Sequence, residues 1–391
     1  MSKQSVKQQP KAADRHSWRQ PLMRSLLLIA VTGWLLLTAG AQGGLYSDGA
    51  QLQVVSAESG KKPAVVTDLV FPNSATSYRL TEITCYQHND VADAAAIAPD
   101  GSAWFLSSWD DKEIRIDPET LLVTEYKLPK GCGPRANAID GSGAHWIISM
   151  RFDLLLESYP EKGTAVVRKP TGYGFMNNLV ADRKRGVLWY TKPPENTIGR
   201  YKRGEGFKEY RIPSFDAGPG RFSLDSKGNV WFPELYGNKL GRFDAVTEKF
   251  TEYALPTENA LPVFALVDSH DNVWVAEHMG DKIARFKDGQ FQEFKVPTSN
   301  SGVNALAEAP DGSIWFAEGG WRGSASSNRI GRLDVQTGKM EEVVLPTPNS
   351  QPVALTIDQK GNIWFVEMGT GKIALIQKSV EVGRQITEKR K

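Results

Sequence analysis

Cysteine and histidine are scarce in this chain of 391 residues: there are two cysteines, Cys85 and Cys132, and five histidines. Two cysteines are too few for a disulfide framework, and their spacing lacks the C-x-x-C of a zinc site or thiol redox pair. Charge of one sign is also missing. With 47 basic and 45 acidic residues the net charge is +2, which supplies no field to draw in nucleic acid. No P-loop, dinucleotide fingerprint or serine nucleophile elbow occurs in a credible context, so the large enzyme classes that depend on them have no support. Nothing calls for an oligomer, and a monomer is expected.

Long apolar runs are absent except at one place. Residues 1–24 carry Lys3, Lys7, Lys11, Arg15, Arg19 and Arg24 against a single acid, Asp14, and are followed by the apolar run Leu26–Leu37 and the small residues Ala39-Gly40-Ala41. A basic flank, an apolar segment and an A-x-A-like site make a secretory signal, so residues 1–41 are expected to export the protein to the periplasm or beyond. The uncharged stretch 25–46 is also long enough to remain as a membrane anchor. Residues 42–76, rich in Gly, Ser, Lys and Ala without clear periodicity, read as a flexible linker.

What is abundant is one phrase. "GNVWFPELYGNKLGRFD" at 228–244 returns as "DNVWVAEHMGDKIARFK" and "GNIWFVEMGTGKIALIQ". Aligned on Trp104, Trp146, Trp189, Trp231, Trp274, Trp315 and Trp364, the steps are 42, 43, 42, 43, 41 and 49 residues. Seven units of that length, each with runs of four to seven β-branched and aromatic residues between Gly, Asn, Asp and Pro, predict an all-β, seven-bladed β-propeller of four-stranded blades over residues 77–378. The last unit has only three clear strands, and Ser77–Ile83 resembles the outer-strand phrase "FTEYALP". The N-terminal segment is therefore expected to supply the outer strand of blade 7 and close the ring, leaving 379–391 as a charged tail.

With W-F-x-E and N-K-I-G-R recurring at this period, the body resembles the streptogramin lyase (virginiamycin B lyase) family of seven-bladed propellers. The resemblance implies opening of a cyclic depsipeptide lactone by elimination, with a Mg²⁺ ion, a histidine base eleven residues before a blade tryptophan, a glutamate thirteen before it and another three after it. At the histidine position this chain has Asp93, Arg135, Asn178, Gly220, Val263, Asn304 and Val353, and at the upstream glutamate position Val91, Gly133, Met176, Gly218, Leu261, Gly302 and Gln351. Neither residue type occurs there in any unit. The downstream glutamate does occur, as Glu234, Glu277, Glu318 and Glu367, with Ser107, Ser149 and Lys192 in the first three units.

The start of an inner strand and the end of the second strand meet at one mouth of a propeller channel, where ligands bind by default. Carboxylates from several blades there could hold Mg²⁺ or Ca²⁺, or each could serve its own blade. His278, next to Glu277, is the candidate for a displaced base, with His88 behind it. Asp93, Arg135, Asn178 and Lys192 line the same mouth, and the loops after the second strands bring Trp109, Tyr236 and Trp321 with Arg322, a set suited to a ring-bearing or peptidic ligand. Cys85 and Cys132 fall in adjacent connections and either bridge, pinning the closing strand, or stay as buried thiols. Two functions follow: an exported propeller that binds a small molecule, peptide or envelope partner, or a divergent metal-dependent lyase or lactone hydrolase acting on a cyclic ester.

Overall fold

The computed structural model describes residues 47–71, 77–86, 91–170, 174–319 and 328–379. They form seven antiparallel sheets, and the inner strands neighbour one another in sequence until the seventh meets the first. This is the seven-bladed propeller that the tryptophan register predicts. Blade 4 shows the pattern: inner strand Ser223–Leu224, second strand Val230–Glu234, third strand Lys239–Asp244 and outer strand Lys249–Ala254. The second strand is buried along its whole length in each of blades 4 to 7, while the outer strand Lys249–Ala254 alternates toward solvent. A strand covered on both faces reads as an apolar run and an edge strand carries charge.

The tryptophans fill the layers between blades. Trp231 packs against Ala265, Val273 and Ala284 of blade 5, and Trp274 against Leu306, Ile314 and Phe316 of blade 6. In blades 2, 4 and 5 the turn between inner and second strands satisfies the ring's one polar atom: Trp146 Nε1 donates to Asp140 at 2.8 Å, Trp231 to Asp225 at 3.0 Å and Trp274 to Asp268 at 2.8 Å. The guanidiniums of Arg203, Arg242 and Arg285 lie over the same three rings. In these three blades the tryptophan joins an apolar layer, a turn and a cation.

Closure occurs as expected. Ser77–Thr84 pairs with Lys372–Lys378 as the outer strand of blade 7, and Ser379 N donates to Ser77 O at 2.9 Å. Residues 380–391 lie outside the described residues. The reading of 42–76 as a linker is corrected. Gln51–Gln53, Val55–Lys61 and Ala64–Val70 are strands that pair with the outer edges of blades 2, 1 and 7, so these three blades have five strands rather than four. The belt is held by apolar burial: Val54 enters the layer of blades 1 and 2, and Leu69 and Phe71 enter that of blades 6 and 7. Among the described residues no helix is long and apolar enough to cross a membrane; residues 25–46 lie outside them.

Candidate functional site

The four recurrent glutamates end the second strands of blades 4 to 7, and all four are fully buried. Each lies opposite a third-strand cation, namely Lys239, Lys282, Arg329 and Lys372. One strand further out, every one of these blades carries another glutamate: Glu252, Glu293, Glu342 and Glu82. The outer glutamate takes the cation. Lys239 Nζ donates to Glu252 at 2.8 Å and Lys282 Nζ to Glu293 at 2.6 Å, and the Arg329 and Lys372 nitrogens stand 3.9 and 3.7 Å from Glu342 and Glu82. A hydroxyl from the preceding connection joins each: Ser214, Thr257 and Thr298 donate to Glu252, Glu293 and Glu342 at 2.9, 2.7 and 2.7 Å, and Thr347 donates to Glu82.

Among the second-strand carboxyls Glu367 alone has such a donor, Thr370 Oγ1 at 3.0 Å from its Oε2. Neither oxygen of Glu234, Glu277 or Glu318, nor Oε1 of Glu367, accepts a hydrogen bond from the protein. A buried carboxyl beside an ionised one keeps its proton and can donate it to its neighbour. Burial first, and then the charge of the outer glutamate, lifts Glu234 and Glu277 to about 7, Glu367 to about 8 and Glu318 to about 9. Burial also opposes ionising Glu252 and Glu293, but the bonds from lysine and hydroxyl outweigh it and their pKa values fall.

This geometry corrects the metal assignment. Glu234, Glu277, Glu318 and Glu367 are each enclosed in a separate blade and do not converge, and among the described residues no three His, Cys, Asp or Glu come together as a metal-holding group. A hard divalent cation needs several oxygens within about 2.0–2.6 Å of one point. Among the described residues the donor set does not fit a resident Mg²⁺ or Ca²⁺.

The remaining blades vary the same cluster. In blade 3, Lys192 replaces the second-strand glutamate. It is buried rather than at the mouth, with Nζ 3.0 Å from Glu209 on the outer strand, whose other oxygen-bearing neighbour is Tyr190 Oη at 3.1 Å. Asp153 and Glu195 lie close enough to Lys192 for its charge to temper the rise that burial imposes on their pKa values. Blade 1 keeps the outer glutamate, Glu125, held by Lys112 at 2.8 Å and by Lys62 of the belt at 3.0 Å. Blade 2 has Ser149, Leu154 and Val167 at the three places.

At the mouth itself the predicted residues are partly dispersed. Arg135 Nε donates to Asn177 Oδ1 at 3.1 Å, joining blades 2 and 3, and Asn178 Nδ2 bonds Thr191 Oγ1 at 3.0 Å within blade 3. Trp109 is half exposed with Arg151 5.7 Å from its ring centre. Tyr236 lies against the backbone of Gly218, where a Cβ would stand 2.6 Å from the ring. Glu277 and His278 are directed apart: Glu277 ends its strand and faces Glu293, while His278 begins the following turn with Nδ1 3.3 Å from Val303 O of blade 6. Burial lowers the pKa of His278. Trp321, Arg322, His88 and the side chain of Asp93 lie outside the described residues. Phe215, 91% exposed in the connection from blade 3 to blade 4, and Met279 add apolar surface to the same face; neither stood out in the sequence, since a lone Phe in a loop carries no periodic signal.

The upstream glutamate position has a backbone duty. Gly133, Gly218, Leu261, Gly302 and Gln351 all have positive φ, and the carbonyls of Gly133, Gly218, Leu261 and Gln351 accept the amide that follows their second strand. Glycine is the residue for such a backbone. The cysteines are unbridged. Cys132 is buried between blades 1 and 2, and Cys85 packs on the other side of blade 1 against the layer of blades 7 and 1. Burial pushes both thiols up to about 12.

A closed seven-bladed ring built on one W-F-x-E phrase defines the class, and the comparisons agree. The chain matches the Virginiamycin B lyase family over residues 66–271 and 175–389, and it belongs to that family. Among solved structures, a streptogramin B lyase is 25% identical, with a TM-score of 0.69 over 77% of this chain and 98% of that one. The virginiamycin B lyase of Staphylococcus aureus is 24% identical with the same TM-score, covering 78% of this chain and all of the other. A catalytically inactive histidine-to-alanine variant of that enzyme, solved with quinupristin, matches equally. No curated protein matches.

Proposed function

We propose that this chain is an exported propeller of the family that binds a small molecule, peptide or cell-envelope partner at the channel mouth and has given up the family's elimination chemistry. One observation carries the reading: the seven mouth positions where the resemblance calls for the base hold Asp93, Arg135, Asn178, Gly220, Val263, Asn304 and Val353. Elimination needs a base positioned at the proton it removes, with a pKa near the working pH. The neighbouring glutamates support the same reading, since they are enclosed within their blades, and so does the exposed apolar surface of Trp109, Phe215 and Met279.

The leader supports export. The test is incubation of the protein with quinupristin and Mg²⁺, followed by chromatography, because elimination opens the ring without changing its mass. The expected result is unaltered substrate at every enzyme concentration. A ring-opened product that disappears in His278→Ala would overturn the proposal in favour of a divergent lyase.

A further inference from the structure

The rim of the ring has one outermost strand per blade, and six of the seven are guarded. Those of blades 3 to 6 carry charge: Lys208 and Glu209, Lys249 and Glu252, Glu293 and Lys295, Glu341 and Glu342. On the belt, Gln51–Gln53 is three residues long, and Val55–Lys61 breaks register between Ser56 and Glu58. Charge, shortness and bulges keep an edge strand from pairing with another chain. The seventh strand, Ala64–Val70 on blade 7, is open by comparison. It keeps unbroken register with Ser77–Thr84 and carries one charge, Asp68, while Val65, Val66 and Val70 are 56, 57 and 66% exposed.

The register fixes what this edge offers. Thr84 N donates to Pro63 O, and the direction of backbone groups alternates along an antiparallel strand. Val65, Thr67 and Leu69 therefore turn theirs to Ser77–Thr84, and Ala64, Val66, Asp68 and Val70 turn theirs outward. That outward row is complementary to itself. A two-fold axis at Thr67 sets Val66 against Asp68 and Ala64 against Val70 as hydrogen-bonded pairs, with Val65 against Leu69 and Thr67 against Thr67 between them. Apolar and β-branched residues meet across the axis, and no two carboxylates are directly opposed. A second copy supplies, by symmetry, a strand of the right length and pattern. Seven residues span about 23 Å, so the contact falls at the small end of protein interfaces, below about 1,200 Å².

We propose that two copies of this chain pair through Ala64–Val70, antiparallel about a two-fold axis at Thr67, so that their seventh blades form one continuous sheet. This departs from the monomer expected of the sequence, because the strand belongs to no repeat unit and leaves no periodic signal. The rim is separate from the mouth, so the proposal stands or falls independently of the function proposed above. The test is cross-linking of the full-length protein in mild detergent under mild oxidation. Residues opposed in a non-hydrogen-bonded pair have Cα atoms about 4.5 Å apart, within reach of a disulfide, so Thr67→Cys should yield a covalent dimer. Ala64→Cys is the control: it is exposed on the same strand, but its two copies would stand about 20 Å apart in this pairing. Thr67→Cys should link about tenfold faster than Ala64→Cys, through the effective concentration that pairing supplies. Adding Val66→Lys to Thr67→Cys should remove that advantage, with an unchanged melting temperature showing that the variant folds. The native cysteines are present in every variant and cancel. The proposal is overturned if Thr67→Cys links no faster than Ala64→Cys, or if Val66→Lys leaves the rate unchanged. Dimers linked equally well through either position would mean association by another surface.

Discussion

Replacing Glu318 by Gln tests whether the buried carboxyl of blade 6 keeps its proton. Glu318 has no exposed surface, lies beside Glu342 and has no donor of its own. Its carboxyl is lifted from 4.5 to about 9, mainly by burial and then by Glu342, with Arg329 opposing and Asp281 adding. The sign follows from proton counting. Between the unfolded value and about 9 the folded chain holds a proton that the unfolded chain has released, so the stability this proton provides is complete below about pH 4.5 and declines as the pH rises toward 9. Each pH unit in that window removes about 1.4 kcal/mol per group. Glutamine donates in the same direction without titrating. The Gln variant should therefore match the native protein near pH 5 and surpass it by an amount that grows about 1.4 kcal/mol per pH unit, reaching about 4 kcal/mol at pH 8. Denaturant unfolding followed by tryptophan fluorescence at pH 5, 6, 7 and 8 measures it. A difference that is constant with pH would refute the shared proton, and one that shrinks would show Glu318 to be an ionised, paired carboxylate.

Other expectations concern stability. Lys192→Met should cost about 3–5 kcal/mol, because it leaves Glu209, Asp153 and Glu195 without their buried cation; thermal unfolding would show it, and Lys192→Arg should recover part of the loss. Phe71→Ala should cost about 3–5 kcal/mol, since the ring is buried edge-on against Trp315 and Tyr78 at 5.4 Å; a near-neutral result would mean that the belt is not held to blades 6 and 7. Thiol titration without reductant should find two free thiols per unfolded chain, with Cys132 unreactive in the native state. A count of zero would establish the bridge that the structure lacks.

The ring was legible because its signal is periodic. Seven tryptophans at steps near 42 residues specify blade number and register, and the likeness of Ser77–Ile83 to the outer-strand phrase located the closure. The belt was missed because Gln51–Gln53, Val55–Lys61 and Ala64–Val70 belong to no unit, although "AVVTDLV" is itself a β-branched run that marks a strand. The glutamates were placed at the mouth because the sequence shows where a strand ends and not which way its last side chain turns. Their partners were nonetheless written in the same repeat: the Lys of N-K-x-G-R, the Glu of F-T-E-Y and the Ser or Thr after the following Pro recur with them. Four residues that recur together in several units are explained first by one another.

The closing strand also governs the order of assembly. Ser77–Thr84 emerges early in synthesis and finds its partner, Lys372–Lys378, only after some 290 further residues have been made. Blades 3 to 6 are each contiguous in sequence and can pair as they appear, whereas the outer edge of blade 7 waits for Lys372–Lys378. A chain that stops short of Lys372 leaves that early strand without its inner neighbour and Phe71 without the full layer it buries in, so the ring cannot close before the last blade has left the ribosome.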